Sequence, residues 1–206
     1  QFIIVGAYLL SVALAGGTTE TVIPFLGSVD LGFFYYILAA VFIVGMVNAV
    51  NFTDGIDGLN TSVTLVVALV FSVIAMLLNR VGLSLYAAAI VGAMIGFLFW
   101  NANPAKVFMG DTGSLFLGGA VCALAFGVDM PILLILIGII YIVEILSVVL
   151  QVTYFKISHG KRIFKMAPIH HHFEMCGWNE NKICFVFSGV TLFAGIIGVL
   201  LAVFGC

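Results

Sequence analysis

Three consecutive histidines, His170, His171 and His172, are the most distinctive chemical feature of this chain, which has only four histidines and 8% charged residues. Imidazoles are costly to bury without polar partners, and three adjacent rings cannot all face one apolar core. The triplet therefore indicates either a site for an anionic ligand or a zinc site completed by Cys176. Adjacent ligands strain a tetrahedral shell, which favours the anionic ligand.

A segment with two Asp-Gly pairs, residues 51–60, is the first of three polar clusters along the chain. Asp54 and Asp57 are three residues apart, so one helical turn would place them on the same face as Asn51. The glycine after each aspartate lets the backbone approach a ligand closely. The segment fits either a turn that caps the next helix or a loop that binds a ligand.

The second polar cluster along the chain, residues 101–114, contains Asp111 at the predicted start of a helix, and the third, residues 156–182, contains the triple histidine. Asp111 is either a helix N-cap or a ligand of Mg²⁺, an ion that takes one or two carboxylates and shares phosphate oxygens with its substrate. Phe108 is either an apolar packing residue or a stacking surface for a flat base. Together, the acids, the imidazoles and the nearby lysines favour an Mg²⁺-dependent reaction on phosphates.

The polar clusters separate long apolar runs in a chain that is 64% hydrophobic. Because a helix crosses a bilayer with roughly 17–25 apolar residues, these runs predict an all-α, polytopic integral membrane protein, a single membrane domain over residues 1–206. The predicted transmembrane helices are seven: 1–15, 33–50, 61–78, 84–100, 114–128, 131–155 and 183–204. The sixth exceeds the length of a span and should tilt, kink or project, and residues 16–32 suit a short hairpin.

The basic residues mark one side of the predicted bundle. Six of the seven lie in the loops after the second, fourth and sixth spans, and only Arg80 lies on the other side. The positive-inside rule makes the side with the three polar clusters cytoplasmic. A net charge of −2 gives no indication of a nucleic-acid partner. Glu144, in the middle of the sixth span, should face a partner or a cavity rather than lipid.

The three polar clusters resemble the motifs of the phospho-N-acetylmuramoyl-pentapeptide transferases of bacterial peptidoglycan synthesis, members of the polyprenyl-phosphate phospho-sugar transferase superfamily. The matching segments are residues 51–59, 107–114 and 168–174, in the order the family has them. The resemblance extends over essentially the whole chain. Its most specific part is the triple histidine followed by Phe173 and Glu174, which separates these enzymes from related sugar-phosphate transferases.

The resemblance implies a reaction. Phospho-N-acetylmuramoyl-pentapeptide would pass from its UDP conjugate to undecaprenyl phosphate with Mg²⁺ as cofactor, giving lipid I and UMP. The protein would be a multi-pass homodimer of the bacterial cytoplasmic (inner) membrane, with about ten spans in the complete fold. The family also carries an Asp-Asp pair in an early cytoplasmic loop. These 206 residues contain no such pair, so we expect them to be the C-terminal portion of a longer chain.

The resemblance also assigns roles to individual residues. The catalytic positions are Asp111, Asp54, Asn51 and His171, and the metal positions are Asp111 and Asn51. The nucleotide-binding positions are Gly55, Ile56, Asp57, Asn101 and Phe108, with the last stacking on uracil. The substrate-binding positions are Gln151, His170, His171 and His172.

Two other functions are compatible with parts of the sequence. A polyprenyl-phosphate N-acetylhexosamine-1-phosphate transferase would share the aspartate segments but should differ at the triple histidine. An ion-coupled membrane transporter would place polar residues at mid-membrane in several spans, whereas here only Glu144 lies deep.

Overall fold

The structure, a computed structural model, describes residues 1–205 and is mainly helical. Cys206, which ends the predicted domain, lies outside the described residues. The helices are α1 (Phe2–Leu14), α2 (Phe33–Phe52), α3 (Leu59–Leu77), α4 (Val81–Asn101), α5 (Gly110–Gly127), α6 (Leu133–Ile137), α7 (Ile139–Ile157), α8 (Ile169–Glu174) and α9 (Glu180–Phe204). The strands are β1 (Glu20–Ile23) and β2 (Gly27–Asp30).

Six helices are long and apolar enough to cross a membrane: α2, α3, α4, α5, α7 and α9. The seventh predicted span corresponds to α1, an apolar helix of 13 residues. The prediction of an all-α, polytopic membrane protein is therefore confirmed. One boundary difference affects the site. Helix α5 begins at Gly110 rather than at residue 114, so Asp111 lies inside its first turn.

The sixth apolar run breaks at Gly138, as its excess length predicted. The break separates α6 from α7. A Cβ at Gly138 would lie 2.7 Å from the Leu134 carbonyl oxygen and 3.0 Å from a ring carbon of Tyr141, so the backbone at this break leaves no room for a side chain.

The predicted hairpin in residues 16–32 is confirmed, and it lies at the end of the bundle away from the polar clusters. The Val22 N–H donates to the Asp129 carbonyl at 2.9 Å, just beyond the end of α5. The Phe25 N–H donates to the Gly205 carbonyl at 2.6 Å, just beyond the end of α9. Arg80 forms a salt bridge with Asp129 at this same end, at 2.8 Å.

Helix α3 is the centre of the bundle and packs against α4, α5 and α9. Its inward face, which includes Val63, Val67 and Phe71, is fully buried. Helices α2 and α5 approach closely at Gly118, where a Cβ would lie 2.6 Å from the Val47 Cα. Without water to drive association, helices in lipid gain from such close packing at small residues. This packing fixes the ends of α2, α3 and α5, where the polar clusters begin.

Candidate active site

Asp111 is held at the start of α5 by a side chain from the end of α2. The Asn51 amide nitrogen donates to Asp111 Oδ1 at 3.0 Å and to Ser114 Oγ at 2.8 Å. Ser114 is buried, and its hydroxyl donates to the Gly110 carbonyl at 3.1 Å. The N-cap of α5 is Met109, with no side-chain cap bond, so the interpretation of Asp111 as an N-cap is wrong. Its carboxylate is available to a ligand.

Asp54 lies half-buried in the turn that follows α2, near Asp111. Its backbone N–H donates to the Asn51 carbonyl at 3.1 Å. The pKa of Asp54 is raised to about 6: burial raises it most, a hydrogen bond with Asn60 lowers it, and the charge of Asp111 also raises it. The two carboxylates therefore repel each other across a shared space. A divalent cation between them would remove that repulsion.

Asp57 ties the first polar cluster to the other two. Its Oδ2 accepts from the Ala105 N–H at 2.8 Å and from the Asn103 amide at 3.3 Å. Its own N–H donates to Glu180 Oε2, at the start of α9, at 2.8 Å. The N-cap of α3 is Gly58, so this segment does supply the turn and the cap, but neither aspartate caps the helix through its side chain.

Asn101 holds the segment that presents Phe108. Its Oδ1 accepts from the Thr61 hydroxyl, and its amide nitrogen donates to the Val107 carbonyl at 3.0 Å. Both polar atoms of this buried amide are thus used within the protein. Phe108 follows directly and leaves 74% of its surface exposed, which excludes a core packing role.

These residues line one cavity of about 260 Å³ at the end of the bundle. All eight residues predicted from the first two polar clusters border it, together with Met109 and Gly110. Its walls thus combine three carboxylates, two amides, glycine backbone and an exposed aromatic ring. Such a set can bind a flat base at one part and a phosphate–cation pair at another.

The three histidines lie on α8 and bind different partners. His170 is fully buried, with Nδ1 2.9 Å from Glu144 Oε2. His171 Nδ1 contacts Glu174 Oε2 at 2.5 Å. His172 Nδ1 accepts from a backbone N–H at 3.1 Å. The ring centroids of His170 and His171 lie 4.2 Å apart, but each Nδ1 bonds a different partner, so the three rings do not form the shared shell that zinc requires. The expectation that Glu144 faces a partner is confirmed.

The third polar cluster supplies no residue that lines the cavity, but it packs against the wall that Gly55 forms. A Cβ at Gly55 would lie 2.3 Å from His170 Nε2, so this ring packs directly against the cavity wall. Gln151 is buried, and its Oε1 accepts from the Ile163 and Phe164 N–H groups, each at 3.0 Å. Its amide nitrogen donates to the Phe164 carbonyl at 2.9 Å. Gln151 therefore fixes the backbone of this cluster, and a contact with substrate stays a prediction.

The residues of the first two clusters also fit Mg²⁺ by donor type. Asp54 and Asp111 supply hard oxygens, and the Asn51 amide nitrogen is already engaged, which leaves its oxygen for a cation. Among residues 1–205, no cluster of three or more His, Cys, Asp or Glu side chains has a metal-binding arrangement. Two carboxylates nevertheless match Mg²⁺, which normally keeps several waters and takes its remaining ligands from substrate phosphates.

A family model described as glycosyl transferase family 4 matches residues 1–129, more than half of the chain. The chain belongs to glycosyl transferase family 4. The matched part includes both aspartate segments and every residue that lines the cavity. The family match thus covers the cavity itself and stops before the histidines.

Curated relatives of this glycosyl transferase family 4 chain extend the likeness beyond the matched part. A Clostridium botulinum protein named phospho-N-acetylmuramoyl-pentapeptide-transferase is 52% identical over 92% of the chain and 60% of its own length. A protein of the same name from Clostridium perfringens is 55% identical over 84% of the chain and 54% of its own length. Another from Listeria monocytogenes is 49% identical over 91% of the chain and 59% of its own length. The chain thus spans about 60% of the length of these relatives.

Two residues that support the family 4 site, Ser114 and Glu180, were not predicted from the sequence. Ser114 lies three residues after Asp111, a spacing that would have placed it on the same helical face. Glu180 lies in the first turn of α9, where a carboxylate is ordinary, so nothing in its position signalled the bond to Asp57.

Proposed function

We propose that this chain is part of an enzyme that transfers phospho-N-acetylmuramoyl-pentapeptide from its UDP conjugate to undecaprenyl phosphate, giving lipid I and UMP. The observation that carries the proposal is the cavity in which Asp54 and Asp111 lie near an exposed Phe108. It lies at one end of a bundle of apolar helices, where a water-soluble nucleotide and a lipid phosphate can meet. The names of the relatives support the same substrates.

The nucleotide would bind at the part of the cavity formed by Phe108 and Asp57. An exposed aromatic ring offers a face on which uracil can stack. Asp57 Oδ2 is held by Asn103 and Ala105, so the second oxygen, Oδ1, would accept from the imide N–H of the base. The backbone of Gly55 forms the adjoining wall, and the His170 ring occupies the space where a side chain would project.

The diphosphate would lie toward the acidic part of the cavity. Asp111 and Asn51 would hold Mg²⁺, with Asp54 beside them, and the bound ion would neutralise charge that develops on the phosphates. The anchoring of Asn51 to Ser114 and Asp111 orients these donors before substrate arrives. Such preorganisation keeps the cost of arranging charged groups out of the reaction step.

His171, which is partly exposed on α8, is proposed to contact the transferred phospho-sugar. His172, on the same helix, would contribute to substrate binding. The exposed Lys161 and Arg162 in the same cluster would attract the anionic substrates. A homodimer is part of the proposal on the family resemblance alone.

The proposal is tested by Asp111→Asn in the protein at its full natural length. Transfer should fall by at least about 100-fold, the scale of losing one preorganised electrostatic group. Folding should be unchanged, because Asn keeps the size of the side chain. Asp129→Asn is the matched control, since Asp129 is also hydrogen-bonded but lies at the opposite end of the bundle. The assay is formation of radiolabelled lipid I, and near wild-type turnover of Asp111→Asn would remove the assignment.

The orientation in the cytoplasmic membrane is proposed from the same chemistry, since the nucleotide substrate is cytosolic and most basic residues share the side of the cavity. A cysteine at exposed Lys106 should react with an impermeant thiol reagent only in inverted vesicles. A cysteine at exposed Ser28, in the hairpin, should react in intact spheroplasts. The exposed Cys176 must first be replaced. Labelling of the Lys106 position in spheroplasts would overturn the topology.

A further inference from the structure

Glu144 and His170 form a buried pair beneath the cavity. Both side chains are fully buried, and Glu144 Oε2 lies 2.9 Å from His170 Nδ1. Because the carboxylate is an acceptor, the bond needs the proton on Nδ1 of the ring. The pair joins α7 to α8 over 26 residues of sequence. It therefore sets both the position and the rotation of the His170 ring.

The other edge of the ring abuts the first polar cluster. A Cβ at Gly55 would lie 2.3 Å from His170 Nε2 and 2.7 Å from Cε1, so only glycine fits at this position. Gly55 follows Asp54 directly and lines the cavity. The ring thus limits where the backbone that carries Asp54 can lie.

The pair is not explained by stability alone. Glu144 Oε1 and His170 Nε2 are both buried without a hydrogen-bond partner within residues 1–205. An ionisable residue in the middle of a membrane helix is costly, and unsatisfied buried polar atoms are rare in native proteins. Buried polar groups that keep such a cost are commonly those that orient a functional site. The His170 ring points toward Gly55 in the cavity wall, so the site that the pair would orient is the cavity.

We propose that Glu144 is a positioning residue for the transfer reaction. It holds the His170 ring against Gly55, and the ring holds Asp54 at the cavity. The inference rests on the proposed function, and it assigns His170 to support of the cavity wall rather than to direct contact with substrate. The carboxylate acts as a hydrogen-bond acceptor that fixes one ring orientation.

Steady-state kinetics of the full-length protein test this role. Glu144→Ala should lower kcat about 10- to 100-fold, because small displacements of a catalytic group cost that much, while KM for the nucleotide sugar changes less. Glu144→Gln keeps an acceptor oxygen and should recover most of kcat. Ser147→Ala is the matched control, since this buried hydroxyl, one turn along α7, donates only to the helix backbone and should leave kcat unchanged.

Double substitutions separate this role from a general structural one. If Glu144 acts through the ring, Glu144→Ala combined with His170→Ala should be no slower than His170→Ala alone. Gly55→Ala should lower kcat in the wild-type background. It should cost nothing further with His170→Ala, because the clashing ring atoms are then gone. Additive losses in both pairs, or an equal loss in Glu144→Gln and Glu144→Ala, would overturn the proposal.

A measurement that does not depend on catalysis distinguishes failure of the positioning role of Glu144 from failure of the proposed transferase function. In ¹⁵N-histidine NMR of the full-length protein, the His170 signal, assigned by its loss in His170→Ala, should show a protonated Nδ1. Glu144→Ala should release that tautomer, and Glu144→Gln should retain it. An unchanged tautomer in Glu144→Ala would overturn the positioning role. Absence of transfer in the wild-type protein would instead remove the proposed function.

Discussion

Asp54→Asn should stabilise the metal-free protein at neutral pH and not at acidic pH. Burial, chiefly, and the charge of Asp111 raise the pKa of Asp54 from its ordinary value of 3.8 to about 6. Well below pH 3.8 the carboxyl is protonated in both folded and unfolded protein and has no effect on stability. Between these values only the unfolded state releases the proton, so the stability of the wild-type protein falls as pH rises and stays low above about pH 6.

The size of the effect follows from the shift. About 2 pKa units correspond to about 3 kcal/mol, which partial exposure of Asp54 reduces to about 1 kcal/mol. Asn cannot ionise, so it removes this penalty. For a protein of this size, 1 kcal/mol corresponds to roughly 2–4 °C in Tm. The same substitution should abolish transfer, because the site then lacks one of its carboxylates.

The assay is thermal unfolding of the purified full-length protein in detergent with a chelator, from pH 4 to pH 8. The gain in Tm of Asp54→Asn over wild type should be small at pH 4 and complete by pH 7. Asp129→Asn, at the exposed salt bridge with Arg80, serves as the control and should show no gain that develops around pH 6. A Tm difference between Asp54→Asn and wild type that is constant over the whole range would refute the reasoning.

Two further predictions use matched pairs in the chain. Phe108→Ala should raise KM for the UDP-sugar more than it lowers kcat, because the lost contact binds ground state and transition state equally. Phe99→Ala, at a similarly exposed ring on α4, should change neither constant. A loss in kcat alone for Phe108→Ala would argue against stacking. Gly118→Leu should destabilise the protein by about 1–3 kcal/mol, because the new side chain meets the backbone of α2. Gly119→Leu, with open space at its Cβ, should not destabilise it. Equal Tm values for the two variants would contradict the packing of α2 against α5.

The composition and spacing of the sequence determined the architecture and the location of the site. In lipid, a spanning segment must satisfy its own backbone hydrogen bonds, so long apolar runs have to be helices. Charged residues other than Glu144 then fall at or beyond helix ends, and Asp54, Phe108 and Asp111 could be assigned to one end by counting spans. The cavity confirms that grouping.

Local interpretations of single residues were less secure, because several roles share one sequence pattern. Aspartate and glycine before a helix suit both a cap and a binding loop. The structure decides only against caps by aspartate side chains, since Met109 and Gly58 occupy the N-cap positions. The start of α5 differed from the predicted one because Gly110, Thr112 and Gly113 are not apolar, although they are helical.

Only the tertiary structure decided which distant side chains meet. Asp57 and Glu180 are 123 residues apart, and Glu144 and His170 are 26 apart, yet each pair lies within 2.9 Å. It also decided that three adjacent histidines have three different partners. Spacing along the chain fixes only which residues share a face of one helix. The contacts between helices depend on how all of their side chains pack together, and no local pattern encodes that arrangement.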